Sequence, residues 1–365
     1  MKVLHVENGR HLYGGALQVV SLVHGLKQRG VDNLLLCPAG SAIGERLAGD
    51  VSECYDPPLG GEIDPRLYVH IGHILREQRP DLIHLHSRRG ADLWGVLAAR
   101  RHRVPVVLSR RVDNIEARIG VAIKYRLADR IVTISEGIRR VVLSQGVDPT
   151  KVICVPSGID TQRYRPHGQN ADVRRELDIP DDALWIAVVS QLIERKGHRY
   201  LFDALAQLNA DLPPWTLWVL GKGPLEDALR RQAADLNLQD HICFAGFRDD
   251  LPRLLPALDL VVHPATMEGL GVSLLQAAAS EVPIIACPVG GIPEIVHTEV
   301  NGLLVPPANT DALAEAMKRL LSDAELRRTM GARGRQIVLN GFSDNSMIEG
   351  NLAVYRDLLK QRKTR

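Results

Sequence analysis

Aromatic residues and cysteines are both scarce in this sequence. Phe, Trp and Tyr make up 4% of the 365 residues, so the core must be built mainly from Leu, Val, Ile and Ala. The five cysteines are scattered and form no Cys-x-x-Cys pair, so neither a zinc site nor a thioredoxin-type motif is indicated. An odd, dispersed set of thiols is typical of a cytoplasmic protein whose cysteines stay reduced.

Long apolar runs and a strong net charge are also missing. No run of about 18 apolar residues occurs, and the apolar segment after Met1 is too short for a signal peptide, so we expect no membrane-spanning helix. The net charge of +2 gives no general attraction to nucleic acid. Between residues 88 and 140, however, 13 Lys or Arg stand against 5 Asp or Glu. That stretch is either an ordinary solvated surface or a basic face for anionic lipid headgroups or an acidic acceptor.

The common phosphate-binding motifs are absent. The chain has no Gly-x-x-x-x-Gly-Lys-Ser/Thr, which argues against a P-loop NTPase. Gly14-Gly15-Ala16 and Gly221-Lys222-Gly223-Pro224 both follow predicted strands, but neither has the Gly-x-Gly-x-x-Gly spacing of a dinucleotide site. Such glycines either allow a phosphate to approach the start of a helix or form a tight turn between strand and helix.

The pattern of apolar residues predicts an α/β protein. Short runs rich in Val, Ile and Leu alternate with segments whose apolar residues recur three or four positions apart, as in a helix buried on one face. Uniformly apolar strands fit parallel sheets covered on both faces. The predicted strands of the first half are Lys2–Val6, Asn33–Cys37, Leu82–Leu85, Pro105–Leu108, Arg130–Ile134 and Val152–Pro156. Those of the second half are Trp185–Val189, Thr216–Leu220, His241–Ala245, Leu258–His263 and Pro283–Ala286.

A charged bridge rich in Pro and Gly runs from residue 156 to residue 169 and separates the two halves. We therefore expect two Rossmann-like, doubly wound domains that face each other across a cleft, lined by the carboxyl ends of their strands. The first domain would span residues 1–163 and be completed by a C-terminal helix at residues 344–365. The second would span residues 164–343.

Two segments of the second half combine charge with glycine. Arg195 and Lys196 follow its first predicted strand, where cations could neutralise a diphosphate or could simply be solvated loop residues. Glu268-Gly-Leu-Gly271 follows an apolar strand and leads into a helix that should begin near Gly271. The Glu268 carboxylate could accept hydrogen bonds from vicinal hydroxyls of a ligand, or it could cap that helix.

Taken in order, these motifs resemble family 4 of the retaining GT-B glycosyltransferases. The resemblance covers nearly the whole chain, and each motif is short, but their order and spacing together are specific. The motifs are Gly14-Gly15-Ala16, Pro80-Asp-Leu-Ile-His-Leu-His86, Ile134-Ser135-Glu136, Val155-Pro-Ser-Gly-Ile-Asp160, Leu192-Ile-Glu-Arg-Lys-Gly197, Gly221-Lys-Gly-Pro224, Phe244-Ala-Gly-Phe247, His263-Pro264, Glu268-Gly-Leu-Gly271, Pro288-Val-Gly-Gly-Ile-Pro-Glu294 and Asn301-Gly-Leu-Leu-Val305.

The resemblance implies a reaction. A hexose-type sugar would move from a UDP- or GDP-linked donor on the second domain to an acceptor hydroxyl on the first, with retention of configuration. Lipopolysaccharide, glycolipid or other cell-envelope glycan synthesis is the implied setting. The implied partners are the nucleotide sugar and a lipid-linked or saccharide acceptor. The implied location is the cytoplasm, with peripheral contact to the anionic inner face of the cytoplasmic membrane as a further expectation. No cofactor or metal is implied, because basic side chains and helix N-termini stabilise the leaving diphosphate.

The same resemblance assigns roles to single residues. Lys196 would contact the diphosphate, Glu268 would be catalytic and hold the donor sugar with the backbone of Gly269 to Gly271, and Gln276 would contact the ribose. Gly14 and Gly15 would approach the phosphates when the domains close. The other residues implied in donor binding are Gln191, Arg195, Gly221, Gly223, Phe247, Leu270 and Val272.

Three departures from the family pattern leave other functions open. Gln276 replaces a second glutamate, Gln191 replaces an arginine, and the usual His after the fourth strand of the first domain is missing. Arg111 and Asp113 are the candidates for that catalytic position, with His84 and His86 nearby. A sugar-nucleotide epimerase or phosphorylase on the same fold remains an alternative, as does a catalytically weak sugar-nucleotide-binding protein.

Overall fold

The chain forms two units, and the second begins earlier than the sequence suggested. This computed structural model describes residues 1–10, 12, 14–60, 64–86, 90–116, 118–167, 170–208 and 212–363. The first unit comprises Met1–Gly158 with Asp344–Arg365, and the second comprises Ile159–Ser343. Ile159 falls in the second unit because its N–H donates to the carbonyl of Phe342 (2.9 Å) and it pairs with Ser343.

The described residues contain thirteen strands in chain order. Those of the first unit are β1 (Lys2–Val6), β2 (Asp32–Leu36), β3 (Glu53–Tyr55), β4 (Leu82–Leu85), β5 (Val106–Arg110), β6 (Arg130–Thr133) and β7 (Val152–Cys154). Those of the second unit are β8 (Leu184–Val189), β9 (Trp215–Leu220), β10 (Ile242–Gly246), β11 (Leu260–His263), β12 (Ile284–Ala286) and β13 (Gly302–Leu304). The sequence patterns predicted all of them except β3 and β13, which have three residues each and lie at sheet edges.

Fifteen α-helices occur among the described residues. The first eight are α1 (Gly14–Gln28), α2 (Ala42–Leu47), α3 (Arg66–Gln78), α4 (Ala91–His102), α5 (Arg118–Leu127), α6 (Glu136–Ser144), α7 (Asn170–Glu176) and α8 (His198–Leu205). The others are α9 (Glu226–Asp235), α10 (Leu251–Leu254), α11 (Val272–Ala279), α12 (Ile292–Ile295), α13 (Thr310–Ser322), α14 (Ala324–Gly341) and α15 (Asp344–Lys363). None of the described helices is both long enough and apolar enough to cross a bilayer.

Both units are doubly wound parallel sheets, as the sequence predicted. Within the described residues, the first sheet has the order β3-β2-β1-β4-β5-β6-β7 and the second has the order β10-β9-β8-β11-β12-β13, with all pairs parallel. The strand order therefore reverses between β1 and β4, and again between β8 and β11. Ligands of such sheets bind beyond the carboxyl ends of the strands at these switch points.

Each unit has its own apolar core. In the second unit, side chains of β8, β9 and β11 pack against α8 and α13, and the buried ring of Phe202 belongs to this cluster. In the first unit, helix α15 covers one face of the sheet, where Ile348, Leu352 and Tyr355 meet Leu22 and Leu26 of α1. The C-terminal segment is thus part of the core of the first unit.

Part of the basic stretch between residues 88 and 140 is buried and paired. Lys124 donates to Asp92 (2.7 Å) and to Glu116 (2.6 Å), and Arg110 forms an ion pair with Glu116 (3.1 Å). Arg110 and Lys124 therefore stabilise the inside of the first unit and contribute nothing to a basic surface. Arg88 and Arg89 lie outside the described residues.

Gly331 in α14 offers a test of the packing between α14 and the segment after α11. A Cβ at position 331 would lie 1.9 Å from the carbonyl oxygen of Glu281, whereas a Cβ at Gly341 of the same helix would meet nothing within 4 Å. We expect Gly331→Ala to lower the free energy of unfolding by about 1–3 kcal/mol, because overpacking against backbone exceeds the gain in helix propensity. Gly341→Ala is the matched control and should not destabilise. Denaturant unfolding of both variants measures this, and equal stabilities would contradict the packing described.

Candidate functional site

Glu268 lies at the switch point of the second sheet and is held by residues from both central strands. Its Oε2 accepts from Nζ of Lys196 (2.5 Å), which follows β8, and lies 3.0 Å from Nε2 of His263, the last residue of β11. Its Oε1 accepts from the N–H of Gly269 (3.0 Å). The side chains of Glu268 and Lys196 are only 16% and 12% exposed. The sequence contains His263 in the motif His263-Pro264 but gives no sign that its side chain contacts Glu268.

The surroundings of Glu268 keep it ionised. Burial raises the pKa of Glu268, but the hydrogen bond from His263 and the charge of Lys196 outweigh burial and hold the pKa well below its usual value. Burial lowers the pKa of His263, so its imidazole is neutral and donates through Nε2. The result is a carboxylate at the ligand edge of the sheet with about one further lone pair, on Oε1, that can accept from a hydroxyl group.

Glu268 does not cap helix α11 in this structure. The N-cap of α11 is Gly271, at φ +95°, which has no side chain, and Oε1 of Glu268 accepts from the N–H of Gly269, before the helix begins. The first N–H groups of a helix lack intrahelical partners. Gly271 adopts a conformation that strongly favours glycine, which explains that residue without reference to a ligand.

The neighbours of Gly271 in the motif differ in their exposure. The carbonyl of Gly269 accepts from the N–H of Gly291 (3.1 Å), which ties the loop after β11 to the loop after β12. Leu270 is 1% exposed and belongs to the core, so only its backbone is available to a ligand. Val272 begins α11 and is half-buried.

The three residues of the loop after β8 that the family resemblance assigns to donor binding differ in their surroundings. Lys196 pairs with Glu268, so the alternative of a solvated loop cation does not apply to it. Arg195 has an exposed side chain, and its carbonyl accepts from the N–H of Thr266 (2.9 Å) in the loop after β11. Gln191 is also exposed. The two loops are therefore joined by a backbone hydrogen bond as well as by the ion pair.

Gly221 and Gly223 allow two loops to touch. A Cβ on Gly221 would lie 1.9 Å from the carbonyl oxygen of Ser190, and one on Gly223 would lie 2.4 Å from that of Leu192. The loop after β9 is thereby packed onto the loop that carries Lys196, with Leu192 donating to the carbonyl of Lys222 (3.1 Å). The close approach that these glycines permit is to protein backbone.

Gln276 is hydrogen-bonded within the second unit, whereas the side chain of Phe247 is exposed. Nε2 of Gln276 donates to Oη of Tyr164 (3.0 Å), a tyrosine at the start of the second unit that the sequence analysis did not single out. The carbonyl of Tyr164 in turn accepts from Arg335 (3.2 Å). Phe247 follows β10 and is 66% exposed, which is unusual for an aromatic side chain in a chain with few of them.

In the first unit, Arg111 and the glycines of α1 lie together. Gly14 and Gly15 are the first residues of α1, and a Cβ on Gly15 would lie 3.6 Å from Cδ of Arg111, which follows β5. The Nε of Arg111 is buried without a hydrogen-bond partner among the described residues. Asp113 is half-buried and forms no hydrogen bond within the described part of the chain.

His84 and His86, the two histidines near the candidate catalytic position, differ in how many of their ring nitrogens are hydrogen-bonded. His84 uses both ring nitrogens, since Nδ1 lies 2.5 Å from Oη of Tyr355 and Nε2 lies 2.8 Å from Oγ of Ser109. His86 contacts His5 (2.9 Å) through Nε2, and its buried Nδ1 has no partner among the described residues. His84 is thus a satisfied core residue, and the roles of His5 and Tyr355 were not foreseen from the sequence.

Family comparisons match both halves of the chain. A model described as "Glycosyltransferase Family 4" matches residues 13–163, and one described as "Glycosyl transferases group 1" matches residues 169–337. A D-inositol 3-phosphate glycosyltransferase of Salinispora tropica is 32% identical, over 84% of this chain and 72% of its own length. A UDP-Gal:alpha-D-GlcNAc-diphosphoundecaprenol alpha-1,3-galactosyltransferase of Escherichia coli is 24% identical, over 98% of this chain and 97% of its own length.

Further similarities extend over the full length. A lipopolysaccharide core biosynthesis glycosyltransferase of Rhizobium meliloti is 27% identical, over 96% of this chain and 98% of its own. Among solved structures, the Anabaena protein HepE in complex with UDP has a TM-score of 0.87 at 21% identity, covering 98% of this chain and all of that one. This likeness shows that the fold is the two-domain α/β fold expected from the sequence.

The lowered pKa of Glu268 makes the free energy of unfolding depend on pH. Because its pKa is lower in the folded protein than its ordinary value of 4.5, the carboxylate stabilises the fold above that pH, and this contribution is lost as the pH falls through the lowered pKa. We expect the difference in unfolding free energy between the wild type and Glu268→Gln to be full at about pH 7 and to shrink towards about pH 3. Denaturant unfolding across this range measures it, and a difference that stays constant would show that the charge contributes nothing.

Proposed function

The chain belongs to the glycosyltransferases of family 4, group 1, and we propose that it is a retaining enzyme that moves a hexose-type sugar from a UDP- or GDP-linked donor to an acceptor hydroxyl. The observation that carries this proposal is the buried Glu268, Lys196 and His263 cluster at the switch point between β8 and β11. It combines a carboxylate for sugar hydroxyls with an ammonium group for phosphate oxygens in one place.

The proposed donor contacts follow from this cluster. Lys196 has three N–H donors, so it can keep its bond to Glu268 and still contact a diphosphate. Glu268 and the backbone of Gly269 to Gly271 hold the sugar, and Gln276 contacts the ribose. Phe247 is exposed beyond β10 and offers a ring face for a nucleobase. Lys196 and Arg195 stabilise the leaving diphosphate without a metal ion.

The proposed acceptor is lipid-linked or a saccharide of the cell envelope. Support comes from the relatives, whose names include an acceptor joined to diphosphoundecaprenol and a role in lipopolysaccharide core synthesis. Such an acceptor would bring the enzyme to the inner face of the cytoplasmic membrane by peripheral contact. Arg111 and Asp113 remain the candidates for the position of the missing histidine.

One specific observation keeps a second candidate in view. Gln276, which replaces the family's second glutamate, is already hydrogen-bonded to Tyr164. A weakened ribose contact would fit a sugar-nucleotide-binding protein with little catalysis. An epimerase or a phosphorylase on the same fold would instead convert or phosphorolyse a sugar.

A donor panel separates these candidates. Full-length protein is titrated with UDP-glucose, UDP-galactose, UDP-N-acetylglucosamine and GDP-mannose in EDTA, and release of free sugar is followed without acceptor. We expect one donor to bind with a Kd in the micromolar to millimolar range and to be hydrolysed slowly. Glu268→Gln should lower turnover about 100-fold or more, since it removes a charge at the reacting sugar.

The matched control for that variant is Glu315→Gln, an exposed carboxylate on α13 whose loss should leave turnover unchanged. Binding without any turnover would favour the binding protein, and interconversion of UDP-glucose and UDP-galactose would favour an epimerase. Failure of every donor to bind would refute the proposal.

Gln276→Glu tests the ribose contact. A glutamate can accept from the hydroxyl of Tyr164 and from a ribose hydroxyl, so we expect nucleotide affinity to stay equal or to become tighter. Calorimetric titration with UDP and GDP measures the Kd, and Tyr164→Phe serves as the control that removes only the phenol oxygen. A large loss of affinity in Gln276→Glu would mean that position 276 does not face the ribose.

A further inference from the structure

Three buried histidines lie side by side in the first unit, close to the switch point between β1 and β4. His5 lies on β1, His84 lies on β4 and His86 follows β4, and one ring nitrogen of each lies within 4.8 Å of the others. A neutral imidazole has one nitrogen that donates and one that accepts. Their hydrogen bonds therefore decide which lone pairs are available.

The orientation of the Asn33 amide fixes the first proton. Nδ2 of Asn33 faces the backbone carbonyls of Val23 (3.2 Å) and Val31 (3.3 Å), which can only accept. Oδ1 of Asn33 therefore faces Nε2 of His5 (3.2 Å). Because Oδ1 can only accept, Nε2 of His5 carries the proton and Nδ1 of His5 carries a lone pair.

The second proton follows from the first. Nδ1 of His5 lies 2.9 Å from Nε2 of His86, so Nε2 of His86 must donate to it. Nδ1 of His86 is then left with a lone pair, and this buried atom has no partner among the described residues. Burial, with the nearby charges that His84, His5 and Arg111 can carry, lowers the pKa of His86, so the ring is neutral and keeps this lone pair.

The cluster is not a ready-made metal site. His5 engages both nitrogens with Asn33 and His86, and His84 engages both with Tyr355 and Ser109. Five of the six ring nitrogens are therefore in use, and Nδ1 of His86 alone offers a lone pair. A metal ion held by three imidazoles needs one lone pair from each ring.

An unused donor lies near this unused acceptor. Arg111 follows β5, which pairs with the strand β4 that precedes His86, and it has a buried Nε–H without a partner in the described part of the chain. Both side chains lie beyond the carboxyl ends of central strands, where ligands of such sheets bind. A buried polar atom without a partner costs free energy, which a bound hydroxyl would recover because it can both donate and accept.

We propose that Nδ1 of His86 accepts a hydrogen bond from a sugar hydroxyl of the donor or the acceptor, and that His5 and Asn33 are positioning residues that keep this lone pair available. Arg111 donates to the same hydroxyl or to its neighbour. This proposal rests on the proposed glycosyltransferase function and adds to it a substrate contact from the first unit.

Two substitutions at position 86 separate this role from a structural one. The amide nitrogen of a glutamine can take the place of Nε2, so His86→Gln keeps the bond to His5 and loses the acceptor. The amide oxygen of an asparagine can take the place of Nδ1, so His86→Asn keeps the acceptor and loses that bond. We expect kcat/KM with the donor selected in the panel to fall about 10- to 100-fold in His86→Gln and less than about tenfold in His86→Asn.

The stability of the two variants should show the opposite order, with His86→Gln closer to the wild type. If His86→Gln is the more active variant, or if neither variant changes kcat/KM, the proposal is wrong.

The affinities of the His86 variants for the donor and for its nucleotide show which substrate supplies the hydroxyl. A weaker Kd for the nucleotide sugar with an unchanged Kd for UDP or GDP identifies the donor sugar, and unchanged donor affinities with a lower rate of transfer identify the acceptor.

A measurement on the protein without substrate tests the positioning residues. In full-length protein labelled with ¹⁵N-histidine, long-range ¹H–¹⁵N spectra should show His5 and His86 protonated at Nε2. Asn33→Ala should move the His86 signals towards an average of both tautomers. Protonation of His86 at Nδ1 in the wild type would overturn the proposal even if no donor binds, and an unchanged His86 in Asn33→Ala would overturn the role of Asn33.

Discussion

The carboxylate of Glu268 joins the two central strands of the second sheet. It follows β11, yet it is bonded to Lys196 after β8 and to His263 at the end of β11. These groups are largely buried, so loss of one partner would leave an uncompensated charge, which is far more costly than at a surface. The backbone of the motif is arranged around this point, because Gly269 donates to Glu268 and accepts from Gly291.

The histidine cluster at the corresponding edge of the first sheet is neutral, whereas the cluster around Glu268 is charged. There the three buried histidines beside β1 and β4 are neutral imidazoles, linked by hydrogen bonds to Asn33, Ser109 and Tyr355, and the cation of Arg111 follows the adjacent strand β5. Neutral groups avoid the desolvation penalty of a charge, and their specificity lies in the direction of each bond. The two proposed hydroxyl contacts therefore differ in charge, because Glu268 is an ionised acceptor and Nδ1 of His86 is a neutral one.

The sequence was sufficient for the fold class and for the position of Glu268, because apolar periodicity and motif order are local signals. It could not reveal Tyr164 or Tyr355, since their partners Gln276 and His84 lie more than a hundred residues away in the chain. The edge strand β3 was missed because its three residues are mostly exposed and lack an apolar run. For the glycines at 221 and 223 the sequence left open a phosphate contact or a tight turn, and it could not reveal the close packing of two loops that the structure shows there.

Helix α15 has a consequence for how the chain acquires its structure during synthesis. The second unit is continuous in sequence, so every residue of its core is made before α15. The first unit, although it is made first, lacks the side chains that cover Leu22 and Leu26 until residues 344–363 have emerged. Of the two units, the one that is made first is therefore the last to complete its core, and its nascent form exposes an apolar surface on which chaperones can act.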